Sequence, residues 1–185
     1  MKVTPTVIAD VLILEPRVFA DARGFFYESY NAQTFQEATG LREVFVQDNH
    51  SRSAKGVLRG LHYQTEQPQG KLVRAIRGAV LDVVVDIRQD SRTFGCSVAV
   101  ELTEDNHRQL WIPPGLAHGF VVVSEVADFV YKTTDFYAPA HERCLAWDDP
   151  GIKVDWQLAR YGISVPSLSA KDLAGHAFNV LEAPH

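Results

Sequence analysis

The sequence predicts a mainly β protein, a sandwich or barrel with a few short helices, on three observations. Short runs rich in Val, Ile, Leu and aromatic residues recur beyond Gly40. Gly, Pro, Asn, Asp and Ser punctuate them, and little of the chain carries a helical period. At 185 residues the chain can bury a sizeable core, and no repeat, low-complexity tract or Ser/Gly linker divides it. A single domain spanning 1–185 is expected.

The elements follow in order. Thr34-Phe35-Gln36-Glu37 has the spacing of a capping box and Gly40 can end a helix, so residues from about Asn31 to Thr39 read as a short helix. Two strand-like segments come next, Arg59-Gly60-Leu61-His62-Tyr63-Gln64 and Lys71-Leu72-Val73, joined by a turn rich in Glu, Gln, Pro and Gly. Paired as neighbouring antiparallel strands, they would bring an imidazole and an ammonium to one cavity. Strand alternation puts His62 with Leu58, Gly60 and Gln64, and Arg59 with Leu61 and Tyr63 on the other face. Ala79 to Arg88 reads as a half-buried strand, with Leu81, Val83, Val85 and Ile87 inward and Asp82, Asp86 and Arg88 outward. Arg77-Gly78 is the tight turn before it. Val98–Leu102, Gln109–Ile112, Phe120–Val123 and Asp128–Lys132 repeat the strand signature. Ser169-Ala170-Lys171-Asp172 opens a final short helix with Ser169 as N-cap.

Composition excludes several classes. Hydrophobic residues make up 46% and charged ones 22%, the balance of a globular protein, and polar residues break every apolar run well short of a bilayer span. No membrane association is expected. The start carries no basic segment leading into an apolar one, so a cytoplasmic location is expected. Cys96 and Cys144 lie far apart and outside any Cys/His motif, so both read as idle thiols. A formal net charge of −5 argues against a general nucleic-acid binder, while a local basic pocket for an anion stays open.

Several side chains can carry chemistry. A neutral imidazole held by a carboxylate can take a proton, which suits His62. Asp172 has two readings, the orienting partner of His62 or simply the third residue of the capped helix. Lys71 begins an apolar strand after a turn, where an ammonium can stabilise a developing enolate. Tyr131 shares a face with Phe129 and Thr133, either as a core aromatic or as a proton donor. His118 reads equally as structural or as a substrate contact. Arg23, Arg59, Lys71 and Lys171 suit an anionic ligand if they converge. The aromatic stretch Gly24-Phe25-Phe26-Tyr27-Glu28-Ser29-Tyr30 reads first as a packing strand and second as a stacking surface.

With these pieces assembled, the chain resembles the dTDP-4-dehydrorhamnose 3,5-epimerases, cupin-fold enzymes of nucleotide-sugar biosynthesis. The likeness runs almost end to end, through Arg23-Gly24-Phe25-Phe26, Phe45-Val46-Gln47-Asp48-Asn49-His50-Ser51 and Arg59 to Gln64. It continues through Gln69 to Arg74, Asp82 to Arg88, Arg108 to Pro113, Ala117 to Phe120, Tyr131 to Tyr137 and Ser169 to Asp172. It departs at Trp156-Gln157-Leu158, where many members have proline after the tryptophan, and across Arg160 to Pro166.

The resemblance implies a cupin-type jelly roll that epimerises a dTDP-4-keto-6-deoxy sugar at C3 and C5 without a cofactor. His62 looks like the base, Asp172 its partner, Lys71 the enolate stabiliser and Tyr131 the opposing acid. Arg23, Glu28, Gln47, Asp48, Asn49, Arg59, Lys71, His118, Glu142 and Lys171 are implied substrate or nucleotide contacts. A homodimer with exchanged N-terminal strands is implied as well. No metal is expected, because Gln64 stands where a cupin metal set wants a second histidine after His62. The rival readings are an epimerase acting at one centre, a cupin-fold binding module without turnover, and a metal-dependent cupin enzyme.

Overall fold

A computed structural model of the chain describes every residue except Ala183 and His185. Strands β1 Lys2–Pro5, β2 Leu12–Glu15, β3 Phe19–Asp21 and β4 Gly24–Phe26 precede helix α1 Ala32–Thr39. Strands β5 Gln47–Ala54, β6 Leu58–Gln64, β7 Lys71–Arg77, β8 Ala79–Asp86 and β9 Ser97–Thr103 follow. After them come β10 Gln109–Ile112, β11 Leu116–Val122, β12 Val126–Thr133 and β13 Glu142–Cys144, and helix α2 spans Ala170–Leu173. The expected strands are present with shifted ends: β11 starts earlier than expected, at Leu116, and β8 stops two residues sooner, at Asp86. The fold is the cupin-type jelly roll that the pattern and the resemblance implied.

Two sheets face one another. One has six strands in the order β1-β2-β10-β7-β12-β5, and the other has five in the order β13-β6-β11-β8-β9. Alternation along the central strands sends Val73 and Ala75, Val80 and Val84, Leu110 and Ile112, Phe120 and Val122, and Phe129 into the space between them. A second apolar layer covers the back of the five-stranded sheet, where Leu61, Leu81, Val83, Val85 and Val121 pack under Leu145, Trp156 and Ile163. Helix α1 covers part of the other sheet with Phe35, which meets Trp111 edge to face.

Three expectations are corrected. First, β8 is buried on both faces rather than half-buried, because the chain beyond β13 roofs the face carrying Leu81, Val83 and Val85. Asp82 and Asp86 lie on the other face, beside the core residues Val80 and Val84, and are 0% exposed. Second, β6 and β7 are consecutive but not paired. Strand β6 lies between β13 and β11, and β7 between β10 and β12, so His62 and Lys71 belong to opposite sheets. Third, the cap of α1 is one turn earlier than the capping box suggested. The Asn31 side chain accepts from the Thr34 amide at 3.1 Å, and Thr34 lies within the helix. Gly40 ends the helix as expected, at φ +76°.

Candidate active site

The site begins with an irregularity in β6. Facing β11, His62 pairs with His118 and Arg59 pairs with Phe120, so three steps along β6 match two along β11. One extra residue at Gly60-Leu61 makes a bulge. It breaks the expected alternation: Leu58, Leu61 and Tyr63 all join the outer apolar layer, while Arg59 and His62 line one cavity together. Glycine is required there. Gly60 has φ +113°, and a Cβ on it would lie 2.6 Å from both the Gly119 Cα and the His118 carbonyl oxygen.

The bulge also frees a backbone donor. The Gly60 amide donates to Asp172 Oδ1 at 3.1 Å, and the same oxygen lies 2.7 Å from His62 Nε2. Asp172 Oδ2 accepts from the Ser169 hydroxyl at 2.6 Å, while the Ser169 oxygen caps α2 by accepting from the Asp172 amide. Asp172 thus sits in the capped turn and also contacts His62, so the Ser169 cap and the histidine meet on one carboxylate. Burial works to raise the Asp172 pKa, yet the adjacent His62 imidazole and the hydrogen bonds from Ser169 and Gly60 hold it well below the usual carboxylate range. The departure from the family pattern at Gln157 is absorbed in a short 3-10 turn, Leu158–Tyr161, ahead of this helix.

The six-stranded sheet supplies the opposite wall. Lys71 pairs with Thr133 in register, and Tyr131 pairs with Val73 two residues along, so Lys71 and Tyr131 share the inward face. Lys71 is 9% exposed, and desolvation takes its pKa down to about 8 against the pull of Asp82 and Glu142. Burial, with the Glu142 carboxylate, raises the Tyr131 pKa, so its phenol keeps its proton. His118 is buried beside Asp82, with Nε2 and Oδ2 2.9 Å apart. Burial lowers the His118 pKa against the pull of that carboxylate.

His62, Lys71, His118 and Tyr131 line a cavity of about 240 Å³ with Arg59, Gln64, Gln69, Tyr137 and Glu142. At its rim, Glu142 is ion-paired with Lys171 and hydrogen-bonded by the Tyr137 hydroxyl. Gln47 accepts from the Tyr137 amide at 3.1 Å and donates to Asn49 at 3.1 Å. His62, Lys71, Tyr131, Arg59, His118, Glu142, Lys171 and Asp172 are thus brought together. Asp48 is not, because it points outward and pairs with Lys132. Arg23 and Glu28 are exposed near the β3–β4 hairpin, where Arg23 pairs with Asp21 and Glu28 accepts from Asn31. Sequence reasoning missed Asp82 and Tyr137. An aspartate inside Val80-Leu81-Asp82-Val83-Val84-Val85 was the available signal, since a carboxylate in so apolar a run has little chance of reaching water.

Among the described residues, His62, Cys144 and Asp172 form the one group whose metal-binding atoms all lie within 4.8 Å of one another. Cys144 is therefore no bystander in space, since it is the register partner of His62 on β13. The donor set suits a metal poorly. Burial and the Asp172 carboxylate push the thiol up to about 12, and Asp172 already accepts from several donors. Gln64, at the position of the missing histidine, donates to the Gln67 and Phe136 carbonyls and accepts from the Ala138 amide, which spends its amide on loop structure.

The family model described as dTDP-4-dehydrorhamnose 3,5-epimerase matches residues 5–179. The dTDP-4-dehydrorhamnose 3,5-epimerase of Pseudomonas aeruginosa is 61% identical over 178 residues, 96% of each chain. A Streptomyces niveus dTDP-4-dehydrorhamnose 3-epimerase is 36% identical over 173 residues, covering 93% of this chain and 81% of its own. The crystal structure of a Legionella pneumophila dTDP-6-deoxy-D-glucose-3,5-epimerase in complex with dTDP-4-keto-L-rhamnose matches with a TM-score of 0.94 and 48% identity. That match covers 99% of this chain and 97% of the other. The chain belongs to the dTDP-4-dehydrorhamnose 3,5-epimerase family.

Proposed function

We propose that this chain is a dTDP-4-dehydrorhamnose 3,5-epimerase, converting dTDP-4-dehydro-6-deoxy-D-glucose to dTDP-4-dehydro-L-rhamnose. One observation carries the reading: a histidine with its own carboxylate stands on one wall of a single cavity, and a tyrosine and a buried lysine stand on the other. Inverting a carbon beside a ketone needs this opposition. His62 removes the proton at C3, and the electron pair moves onto the C4 oxygen. The Lys71 ammonium stabilises the enolate, and Tyr131 returns a proton from the opposite face. Once His62 has released its proton to solvent and Tyr131 has taken one up, the same cycle at C5 completes the conversion. Proton removal and return balance without any change of oxidation state, so the chemistry calls for no redox cofactor.

Arg59, His118, Glu142 and Lys171 line or edge the cavity and are assigned to substrate binding, with Gln47 and Asn49 beside Tyr137. Arg23, Glu28 and Asp48 lie outside the cavity of their own chain. Their assignment rests on a homodimer in which the N-terminal strands are exchanged, so that one protomer's hairpin reaches its partner's site. The exposed Phe25 and Phe26 of β4 support that pairing, since they leave an apolar surface uncovered in the single chain. A single domain and a cytoplasmic location complete the reading. Among the described residues no helix is long and apolar enough to cross a membrane.

A double rather than single epimerisation is favoured by 61% identity to a 3,5-epimerase against 36% to a 3-epimerase. Proton NMR of the substrate with the purified protein in deuterated buffer tests both points. Loss of the C3 and C5 signals, with inversion at both centres after trapping, is expected. Exchange and inversion at one centre would assign the chain to single-centre epimerases, and binding without exchange would reduce it to a binding module.

A further inference from the structure

Asp82 is a fully buried carboxyl behind the cavity, in contact with His118 of its wall, that the mechanism above leaves without a task. It lies on the inward face of β8, between Val80 and Val84 of the core, at 0% exposure. Its Oδ2 meets His118 Nε2, while Oδ1 has no hydrogen-bond partner among the described residues. Burying a carboxylate this way is costly unless a positive charge balances it.

The charged and titratable groups around it can be assigned in turn. From β6 come Arg59, which donates to Ser53, and His62, which is held by Asp172. From β13 comes Glu142, already paired with Lys171 and Tyr137. Tyr131 of β12 keeps its proton. Asp86, on the same face of β8, is committed to Arg88, Ser91 and Thr93. Lys71 of β7 remains. It is buried, makes no ion pair within 4 Å among the described residues, and faces inward from the opposite sheet as Asp82 does; burial raises the Asp82 pKa, and the charges of His118 and Lys71 work against that rise. Each group is the other's natural balance.

We propose that Asp82 is a positioning residue of this site: its carboxylate holds the His118 imidazole as the Nε2–H tautomer and is the buried counter-charge of the Lys71 ammonium. The proposal rests on the epimerase reading for its kinetic consequence but not for its electrostatic one. With Nε2–H given to Asp82, Nδ1 of His118 is left as an acceptor. With its counter-charge intact, Lys71 keeps its proton up to about pH 8. Asp82→Asn retains the shape and an oxygen for the histidine N–H but removes the charge.

The test compares native protein and D82N across the pH range. In the variant kcat is expected to fall about tenfold or more near neutral pH, and the alkaline limb of its profile to move down by about one pH unit, with KM changed less than about threefold. A folded D82N with native kcat and an unmoved alkaline limb overturns the proposal. Should D82N fail to fold, nitrogen-15 spectra of histidine-labelled native protein decide, with the Nε2–H tautomer of His118 expected and the Nδ1–H tautomer fatal. Those spectra, and the titration of labelled Lys71 in native protein and D82N, need no substrate. A native protein without turnover would therefore sink the epimerase reading while Asp82 is still judged separately.

Discussion

In the proposed exchange His62 and Tyr131 take opposite halves, and their environments differ accordingly. His62 is the partly exposed member of its pair with Asp172, and its second nitrogen, Nδ1, is not engaged by that carboxylate. Tyr131 is kept protonated by burial and by the Glu142 carboxylate, which suits a donor and disqualifies a resting base. His62→Asn is expected to lower kcat by about a thousandfold and abolish solvent exchange at C3 and C5. Tyr131→Phe should lower product formation by about a hundredfold while leaving measurable exchange at the first carbon attacked, since the base is intact. Equal loss of exchange in both variants would refute this division of labour. These two residues, with Lys71, were legible because each stands in a run of ordered motifs. Asp82 was not, because simple alternation in β8 assigns it to solvent, whereas its face, with Val80 and Val84, looks across the core to the six-stranded sheet and the opposite face lies under the chain after β13.

The bulge in β6 sets the site's geometry at the scale of an element. Period-two reading put Arg59 and His62 on opposite faces, and one inserted residue puts them on the same one. No local signal announces this, since Gly60 could as easily have been a flexible strand residue. Its meaning comes from Gly119 across the ladder, whose own Cβ would stand 2.6 Å from the Arg59 carbonyl oxygen. Two glycines let the strands approach where the chain turns its catalytic face inward. Gly40 offers a control, because it also has positive φ but a Cβ there would meet nothing within 4 Å. Gly40→Ala is expected to cost about 1 kcal/mol, the strain of the left-handed conformation alone. Gly60→Ala adds a clash with backbone and should cost about 3 kcal/mol or more, with most activity lost. Denaturant unfolding of the two variants gives the comparison, and equal costs would remove the close approach as the explanation.

For the whole molecule, the open question is how the hairpin β3–β4 earns its exposed aromatic surface. Phe19, Phe25 and Phe26 are 53%, 61% and 68% exposed, and Arg23 stands among them away from the cavity of its own chain. If hairpins serve the partner's site, a His62→Asn chain and an Arg23→Ala chain can complement each other. Each mixed dimer then holds one fully native site, so co-refolding equal amounts should restore about a quarter of native activity at low substrate. No recovery above the two variants alone, in a preparation shown to contain mixed dimers, would remove the shared site. Most strands beyond Gly40 and the end of α1 at Gly40 were legible in one chain's sequence, whereas the sheet each strand joins and the cap of α1 were not. Which surfaces meet in a pair was not, because an apolar strand reads the same whether its own barrel or a second copy covers it.

The hydrogen bond from Gly60 to Asp172 joins residues 112 positions apart. Among the described residues every strand lies at or before Cys144, and the segment that carries this carboxylate comes later in the chain. Both walls of the cavity, and the histidine in one of them, are thus built without it, and the carboxylate arrives only when the segment after β13 folds back over β6. Docking of that segment, and not pairing of the sheets, is the step that completes the pocket.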